Sequence, residues 1–322
     1  NMPLLEDFAE SFPPGVINIL TGEGSRVVPP IIESGQVDLL AFIGSAKTAN
    51  DFKHKHPYPN RLRSVLGLGA KNPAIVLADA DLDLAVKECI QGALTFNGQR
   101  CTALKILFVD RAISEEFTAR ISQGVSALAA GMPFSDGTFL TPLPDDHTVK
   151  KMTQLVEDAV SKGARISNPS GGATDRTYFH PAVLYPVNQA MRIWHEEQFG
   201  PIVAIAPFNH PDEFLDYIAA SPYGQQASVF GSNPAVVGKL IDALVNQVSR
   251  VNLNAQCQRG PDTFPFAGRK NSAEGTLSIT DALRVFSIRT LVATRETPAN
   301  TEFIQKIIRE RQSQFLTTDY LF

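Results

Sequence analysis

Phe96-Asn97-Gly98-Gln99-Arg100-Cys101 joins a run of helical spacing, residues 81–94, to the apolar run Ile106-Leu107-Phe108-Val109. Four consecutive apolar residues bounded by a polar, glycine-containing link read as a buried strand. A helix that passes into a strand through one short link is the repeating step of a parallel α/β sheet. A cysteine at such a junction lies in a loop with free backbone N–H groups nearby. Those groups, with the Arg100 guanidinium beside it, favour a nucleophilic thiolate. The ordinary alternative is that Cys101 is a small buried hydrophobe.

The same step recurs on both sides of the link. Upstream, residues 4–11 read as a helix closed by Pro13-Pro14-Gly15, and residues 16–20 as a short strand. Residues 28–34 read as a helix with prolines in its first turn, where they are tolerated. Strands are expected at 37–43, 64–68 and 74–77, with a helix at 46–54. Downstream, helices are expected at 114–128, 149–162, 212–220 and 234–245. Strands are expected at 164–167, 182–184, 202–207, 228–230, 250–253 and 285–293. Residues 254–272 are rich in glycine, proline and polar side chains and read as a long loop, of the kind that usually carries function. Residues 301–314 read as an exposed tail helix. The fold class is therefore α/β with a parallel sheet.

Composition narrows the function. The chain has 322 residues, enough for two ordinary domains, with 43% hydrophobic and 19% charged residues. A net charge of −4 leaves no basic footprint for nucleic acid. No apolar run approaches the ~18–20 residues that span a bilayer. Three cysteines, Cys89, Cys101 and Cys257, are few and odd in number. This argues for a reducing, cytoplasmic compartment rather than a disulfide framework. No His/Cys/Asp cluster has metal-ligand spacing, so no metal is expected. The chain opens on Asn1 in mid-helix, without a basic leader, and reads as a fragment.

Two glycine motifs suggest a nucleotide. Gly22-Glu23-Gly24 follows a strand run but lacks the third glycine of a dinucleotide fingerprint, so a plain turn suffices. Phe42-Ile43-Gly44-Ser45 ends a strand and opens a helix. There, helix N–H groups and the Ser45 hydroxyl suit either a phosphate or an ordinary helix cap.

Taken together, Pro14-Gly15-Val16-Ile17-Asn18-Ile19-Leu20, Phe42-Ile43-Gly44-Ser45, Phe96-Asn97-Gly98-Gln99-Arg100-Cys101 and Glu196-Glu197-Gln198-Phe199-Gly200-Pro201 occur in the order found in the aldehyde dehydrogenase superfamily. The resemblance runs from Pro13 to about Thr294. Gln256-Cys257-Gln258-Arg259-Gly260-Pro261-Asp262, followed by Phe264-Pro265-Phe266, resembles the non-phosphorylating, NADP-dependent glyceraldehyde-3-phosphate dehydrogenase branch. The resemblance implies the later part of a Rossmann-like cofactor domain (residues 1–67) and a catalytic domain (68–264). A return segment with an oligomerisation strand (265–296) and a tail (297–322) follow. It implies Cys101 as the nucleophile, a thiohemiacetal and then a thioester, and NADP or NAD as cofactor. Phe42, Gly44, Ser45, Leu68, Glu197 and Phe199 are implied at the cofactor, and Arg100 and Arg259 at an anionic aldehyde. The late strand 287–294 implies a homodimer or homotetramer.

Two departures accompany the resemblance. The family's general-base glutamate falls on Gly67, so the carboxylate that activates the deacylating water is absent. Asp281 matches an acidic position near the site in some relatives, although an ordinary helix start explains it as well. The earlier half of the cofactor domain, with its oxyanion-donating asparagine, should precede Asn1. The expectation is little or no dehydrogenase activity from this chain alone. Two other functions compete: a non-catalytic remnant acting as a structural or interaction protein, and a thiol hydrolase pairing Cys101 with His147, His180 or His195.

Overall fold

The computed structural model describes residues 2–288 and 290–316. By contacts the chain forms two compact units, Asn1–Ala282 and Leu283–Phe322.

The first unit begins with α1 (Met2–Glu10) and α2 (Gly24–Glu33), then β1 (Leu39–Ile43), α3 (Ala46–Lys55) and β2 (Arg63–Gly67). β1 and β2 pair in parallel, Ile43 opposite Gly67. They carry Leu40 and Leu66 into a small core with Ile32, Ala49 and Phe52 from α2 and α3. Ser45 caps α3 by accepting from the Thr48 N–H at 3.1 Å, which satisfies one of the orphan donors of the first turn.

The chain continues through β3 (Asn72–Val76), α4 (Leu82–Leu94), β4 (Leu104–Asp110), α5 (Ser114–Ser126) and α6 (Asp146–Ser161). The short strands β5 (Arg165–Ile166), β6 (Thr174–Asp175), β7 (Tyr178–Phe179) and β8 (Ala182–Tyr185) lead to the single-turn α7 (Arg192–His195). Next come β9 (Ile202–Phe208), α8 (Pro211–Ala220), β10 (Tyr223–Gly224), β11 (Gln226–Phe230), α9 (Pro234–Leu244) and β12 (Arg250–Leu253). The large sheet has seven strands in the order β12-β11-β3-β4-β9-β8-β5. All its pairs are parallel except β5 with β8. Each central strand is buried on both faces, which is why it reads as a continuous apolar run rather than an alternating one. Ile106 and Phe108 of β4 face a core shared with α6, α8 and α9. Leu107 and Val109 face the other core, with Phe117 and Ile121 of α5.

After a long irregular stretch, β13 (Arg269–Lys270) pairs with β10, and β14 (Ala273–Glu274) pairs antiparallel with β2, extending the smaller sheet. α10 (Ile279–Val285) follows. In the second unit α11 (Pro298–Arg309) is capped by Thr297.

Three local expectations are corrected. Residues 16–20 form no strand, and Val16 and Leu20 are exposed; a strand exists only through its neighbours, and this segment has none among the described residues. Residues 286–288 and 290–294 likewise form no strand, and Val285 ends α10; Arg289 lies outside the described residues. α2 starts at Gly24, four residues earlier than expected, so Pro29 and Pro30 sit in its interior rather than in its first turn. Each removes one N–H from the helical ladder.

Candidate active site

The link between α4 and β4 is a turn of 3-10 helix, Thr95–Gly98, with an unusual backbone: φ is 55° at Phe96, 57° at Asn97 and 69° at Gly98. Gly98 adopts left-handed conformation freely, whereas it costs an L-residue roughly 1–2 kcal/mol, so Phe96 and Asn97 in succession persist only where the surroundings dictate them. They do so here. Asn97 is buried, donating to Thr141 Oγ1 at 2.9 Å and accepting from the Thr141 N–H at 3.0 Å. At Gly98 a Cβ would lie 2.7 Å from the Ala93 carbonyl oxygen and 2.8 Å from that of Gly200, so only glycine fits. The Gly98 carbonyl accepts from Lys105 Nζ at 2.9 Å. Beyond the turn, the Cys101 carbonyl accepts from Asn72 Nδ2 at 2.7 Å. Cys101 is partly exposed, whereas Cys89 and Cys257 are buried; burial raises both of their thiols, Cys257 to about 12. Of the three cysteines, only Cys101 is not buried.

The Glu196–Pro201 stretch lies against this link. Arg192 holds Glu196 in a two-pronged ion pair at 2.7 and 3.0 Å, keeping its carboxyl below the ordinary range. Glu197 is different. It takes one N–H from Ala70, and Oε2 packs against Gly69, where a Cβ would come within 2.9 Å. Its Oε1 is buried without a hydrogen-bond partner, 4.0 Å from Lys105 Nζ. Burial pushes the Glu197 carboxyl upward, with Lys105 the chief opposing charge. Phe199 is 41% exposed, its ring centroid 4.9 Å from Lys105 Nζ.

Three lysines and a glutamine join these parts, and none stood out in the sequence reading. Lys71 is fully buried and donates to Gln198 Oε1 at 2.5 Å. Gln198 Nε2 donates to the Lys105 carbonyl at 2.6 Å. Lys105 Nζ also donates to the Gln198 carbonyl at 2.8 Å. Lys151, on α6, donates to the Glu197 carbonyl at 3.2 Å. Burial drives Lys71 well below its ordinary value and Lys105 to about 8. A signal for Lys105 existed: it is the one charge inside Thr102-Ala103-Leu104-Lys105-Ile106-Leu107-Phe108-Val109. A charge in a fully buried strand needs a reason.

The other sequence candidates fall as follows. Gly67 ends β2 and has no side chain; its carbonyl accepts from the Gly44 N–H at 3.1 Å. The Phe42 ring lies over Gly44, where a Cβ would be 2.4 Å from the ring edge, and meets Phe52 edge-on. Ser45 caps α3, and Leu68 is buried in the small core. Arg100 donates to the Gly92 carbonyl at 3.3 Å, its Nε is buried without a partner, and it lies over Phe96. Arg259 is exposed and stacks on Phe266 in the long loop, whose carbonyls at 258–260 are gathered by Arg250. Asp281 accepts from the Ser278 hydroxyl at a helix start. His195 bonds the Gln189 carbonyl, and His180 packs on Tyr178. Among the described residues no group of three His, Cys, Asp or Glu could hold a metal ion, and no helix is long and apolar enough to cross a membrane. A cavity of about 550 Å³ lies by Trp194 and Tyr217, and Cys101 is not among its lining residues.

Comparison with known proteins places the chain in a family. The NADP-dependent glyceraldehyde-3-phosphate dehydrogenase of Streptococcus equinus is 37% identical over 279 residues, covering 86% of this chain and 56% of that protein. Retinaldehyde dehydrogenase 3 of Rattus norvegicus is 36% identical over 82% of this chain and 51% of its own length. The crystal structure of the NADP-dependent glyceraldehyde-3-phosphate dehydrogenase of Bacillus halodurans, complexed with NADP, superposes with a TM-score of 0.81 at 34% identity. That match covers 87% of this chain and 58% of the other. The chain thus spans a little over half the length of these relatives. Residues 2–292 match the aldehyde dehydrogenase family profile, and the chain belongs to that family.

Proposed function

We propose that this chain carries the catalytic portion of an NADP-linked aldehyde dehydrogenase, with residues 1–67 contributing part of the cofactor domain and residues 68–264 the catalytic domain. The observation that carries the reading is the partly exposed Cys101 at the end of a strained, fully braced turn, tied through Lys105 to the Glu197 turn. Strain held in place by its surroundings is a mark of functional sites.

The residues present fit a nicotinamide cofactor. Glu197 Oε1 is a buried acceptor with no partner, suited to a ribose hydroxyl. Phe199 offers an exposed ring face. The first turn of α3, opened by Ser45 after Gly44, is a helix N-terminus whose dipole suits a phosphate, with Phe42 and Leu68 as its apolar flank. When bound, NADP or NAD supplies the acceptor for the hydride that leaves the substrate carbon. The protein's own steps centre on sulfur. The Cys101 thiolate adds to the aldehyde carbonyl, forming a C–S bond and moving the carbonyl electron pair to oxygen. Once the hydride has left, a Cys101 thioester remains, and water must cleave it. Arg100, with a buried Nε lacking a partner, and Arg259 suit an aldehyde carrying phosphate or carboxylate. Self-association is assigned to residues 287–294, where Ile288, Leu291 and Val292 are exposed. Three free cysteines suit a reducing, cytoplasmic setting.

One observation favours a second reading, a non-catalytic remnant: no carboxylate stands at position 67 to activate water. A single experiment separates the two. The purified chain is mixed with glyceraldehyde 3-phosphate and NADP, then acid-quenched for peptide mass analysis. A Cys101 thioester with about one equivalent of NADPH and slow turnover supports the enzyme. Absence of any Cys101 adduct supports the remnant, and turnover at the rate of full-length relatives refutes the role given to Gly67.

A further inference from the structure

Lys105 sits where the proposed chemistry does not require a charge. Its side chain is 1% exposed, yet its ammonium touches three parts of the site at once. It donates to the Gly98 carbonyl at 2.9 Å and to the Gln198 carbonyl at 2.8 Å, and lies 4.0 Å from the unpartnered Glu197 Oε1. The Phe199 ring covers it at 4.9 Å. Gly98 is the last residue of the left-handed turn, three before Cys101. Burying an ammonium is expensive, and an apolar side chain of similar volume would ordinarily be the more stable choice. What the charge supplies here is a strut between two loops that share no strand.

We infer that Lys105 is the positioning residue of the nucleophile: its ammonium fixes the Phe96–Cys101 turn against the Glu197 turn and keeps the Cys101 thiolate reactive. The inference rests on Cys101 being the nucleophile. The groups facing the ammonium are Glu197 and Phe199 from one loop, Arg100 and Cys101 from the other, Lys151 from α6 and Lys71 from the β2–β3 link. Glu197 and a Cys101 thiolate favour the charged lysine, whereas Arg100, Lys151, Lys71 and above all burial oppose it, leaving it at about 8. An acceptor occupied at Glu197 would then be felt at the nucleophile through one side chain.

The test reads the thiol rather than dehydrogenase turnover. Iodoacetamide alkylation of Cys101 is followed by peptide mass spectrometry from pH 6 to 10, with and without NADP, in the unsubstituted chain and in Lys105→Met, Lys105→Gln and Lys105→Arg. In the neutral variants, alkylation at pH 7 is expected to fall about tenfold, with the effect of NADP lost. Lys105→Arg is expected to keep the unsubstituted profile within about threefold. A neutral variant that folds, by circular dichroism, and keeps the unsubstituted profile overturns the inference. So does a loss of alkylation that merely follows the loss of thermal stability across all three. If neither neutral variant folds, Lys105→Arg decides: folded, it should keep Cys101 alkylation within about threefold, and a larger loss overturns the inference. Failure of the nucleophile reading would look different: no aldehyde adduct on Cys101, while the differences in alkylation among the Lys105 variants remain.

Discussion

At Gly67 the local geometry decides whether lost chemistry can be regained. The residue is not left-handed, and a Cβ there meets Leu277 Cδ1 at 3.4 Å and Ile43 Cγ1 at 3.6 Å, ordinary contact distances. Nothing in the backbone therefore forbids a side chain. General bases contribute about 10²- to 10⁴-fold, so Gly67→Glu should accelerate release of the Cys101 thioester by about 10²-fold. The measurement compares the NADPH burst with the steady-state rate that follows it. In Gly67→Glu the burst should merge into continuous turnover while the acylation rate stays put. An unchanged slow phase would mean that water does not reach the thioester from this side. Glu197 is a contrasting case, a carboxylate that is present but unsatisfied on one oxygen. Its neighbours were hidden from sequence reading because Lys71, Lys105 and Lys151 reach it from a link, a strand and a helix far apart in the chain. Short motifs identify residues that are adjacent in sequence, and a buried polar cluster is assembled by topology.

At the scale of elements, the nucleophile turn carries the most definite expectation. Gly98→Ala would place a methyl 2.7 and 2.8 Å from two carbonyl oxygens at a φ of +69°. Both oxygens are backbone, so the clash cannot be relieved by rotating a side chain. The loss of stability should be about 2 kcal/mol or more, read from the urea midpoint. Alkylation of Cys101 should fall further than that loss explains, because the displaced atoms include the carbonyl that Lys105 holds. A Gly98→Ala chain with the original midpoint and thiol reactivity would show that the turn is not braced as described. Elements with two apolar faces or a clear cap were legible in the sequence. β4 was expected at 106–109 and spans Leu104–Asp110; α4, expected at 81–94, spans Leu82–Leu94 with Asp81 as its cap. Residues 16–20, 286–288 and 290–293 have the composition of strands but lack a pairing partner among the described residues, and composition cannot supply one. The two-residue strands β6, β7, β13 and β14 were invisible for the opposite reason, since pairing defines them and their composition does not.

For the molecule as a whole, the buried lysines and thiols should write themselves into the pH dependence of stability. Lys105 titrates at about 8 folded against 10.5 unfolded, and Lys71 is depressed in the same direction. Below pH 8 Lys105 is charged in both states, and the cost of burying that charge is fully present. As pH rises from 8 towards 10.5 the unfolded chain binds more protons than the folded one, so stability climbs. For Lys105 alone the gain between pH 8 and 9 is about 1 kcal/mol, and Lys71 adds to it. Cys89 and Cys257 act in the other direction. Their thiols stay protonated when folded, whereas the unfolded thiols ionise near 9.0. Above pH 9 the two thiols therefore offset the two lysines. Past 10.5 the lysines contribute no more, and Tyr217, held neutral by burial, joins the thiols on the losing side. Urea unfolding at intervals from pH 7 to 11 should show a rise of about 1 kcal/mol to pH 9, a plateau to about 10.5, and then a fall. Lys105→Met should lose much of the rise while keeping the later decline, since the thiols and Tyr217 are untouched by it. A stability that is flat or falling between pH 7 and 9 would mean that the two ammonium groups are hydrated rather than buried, and the strut assigned to Lys105 would fall with them.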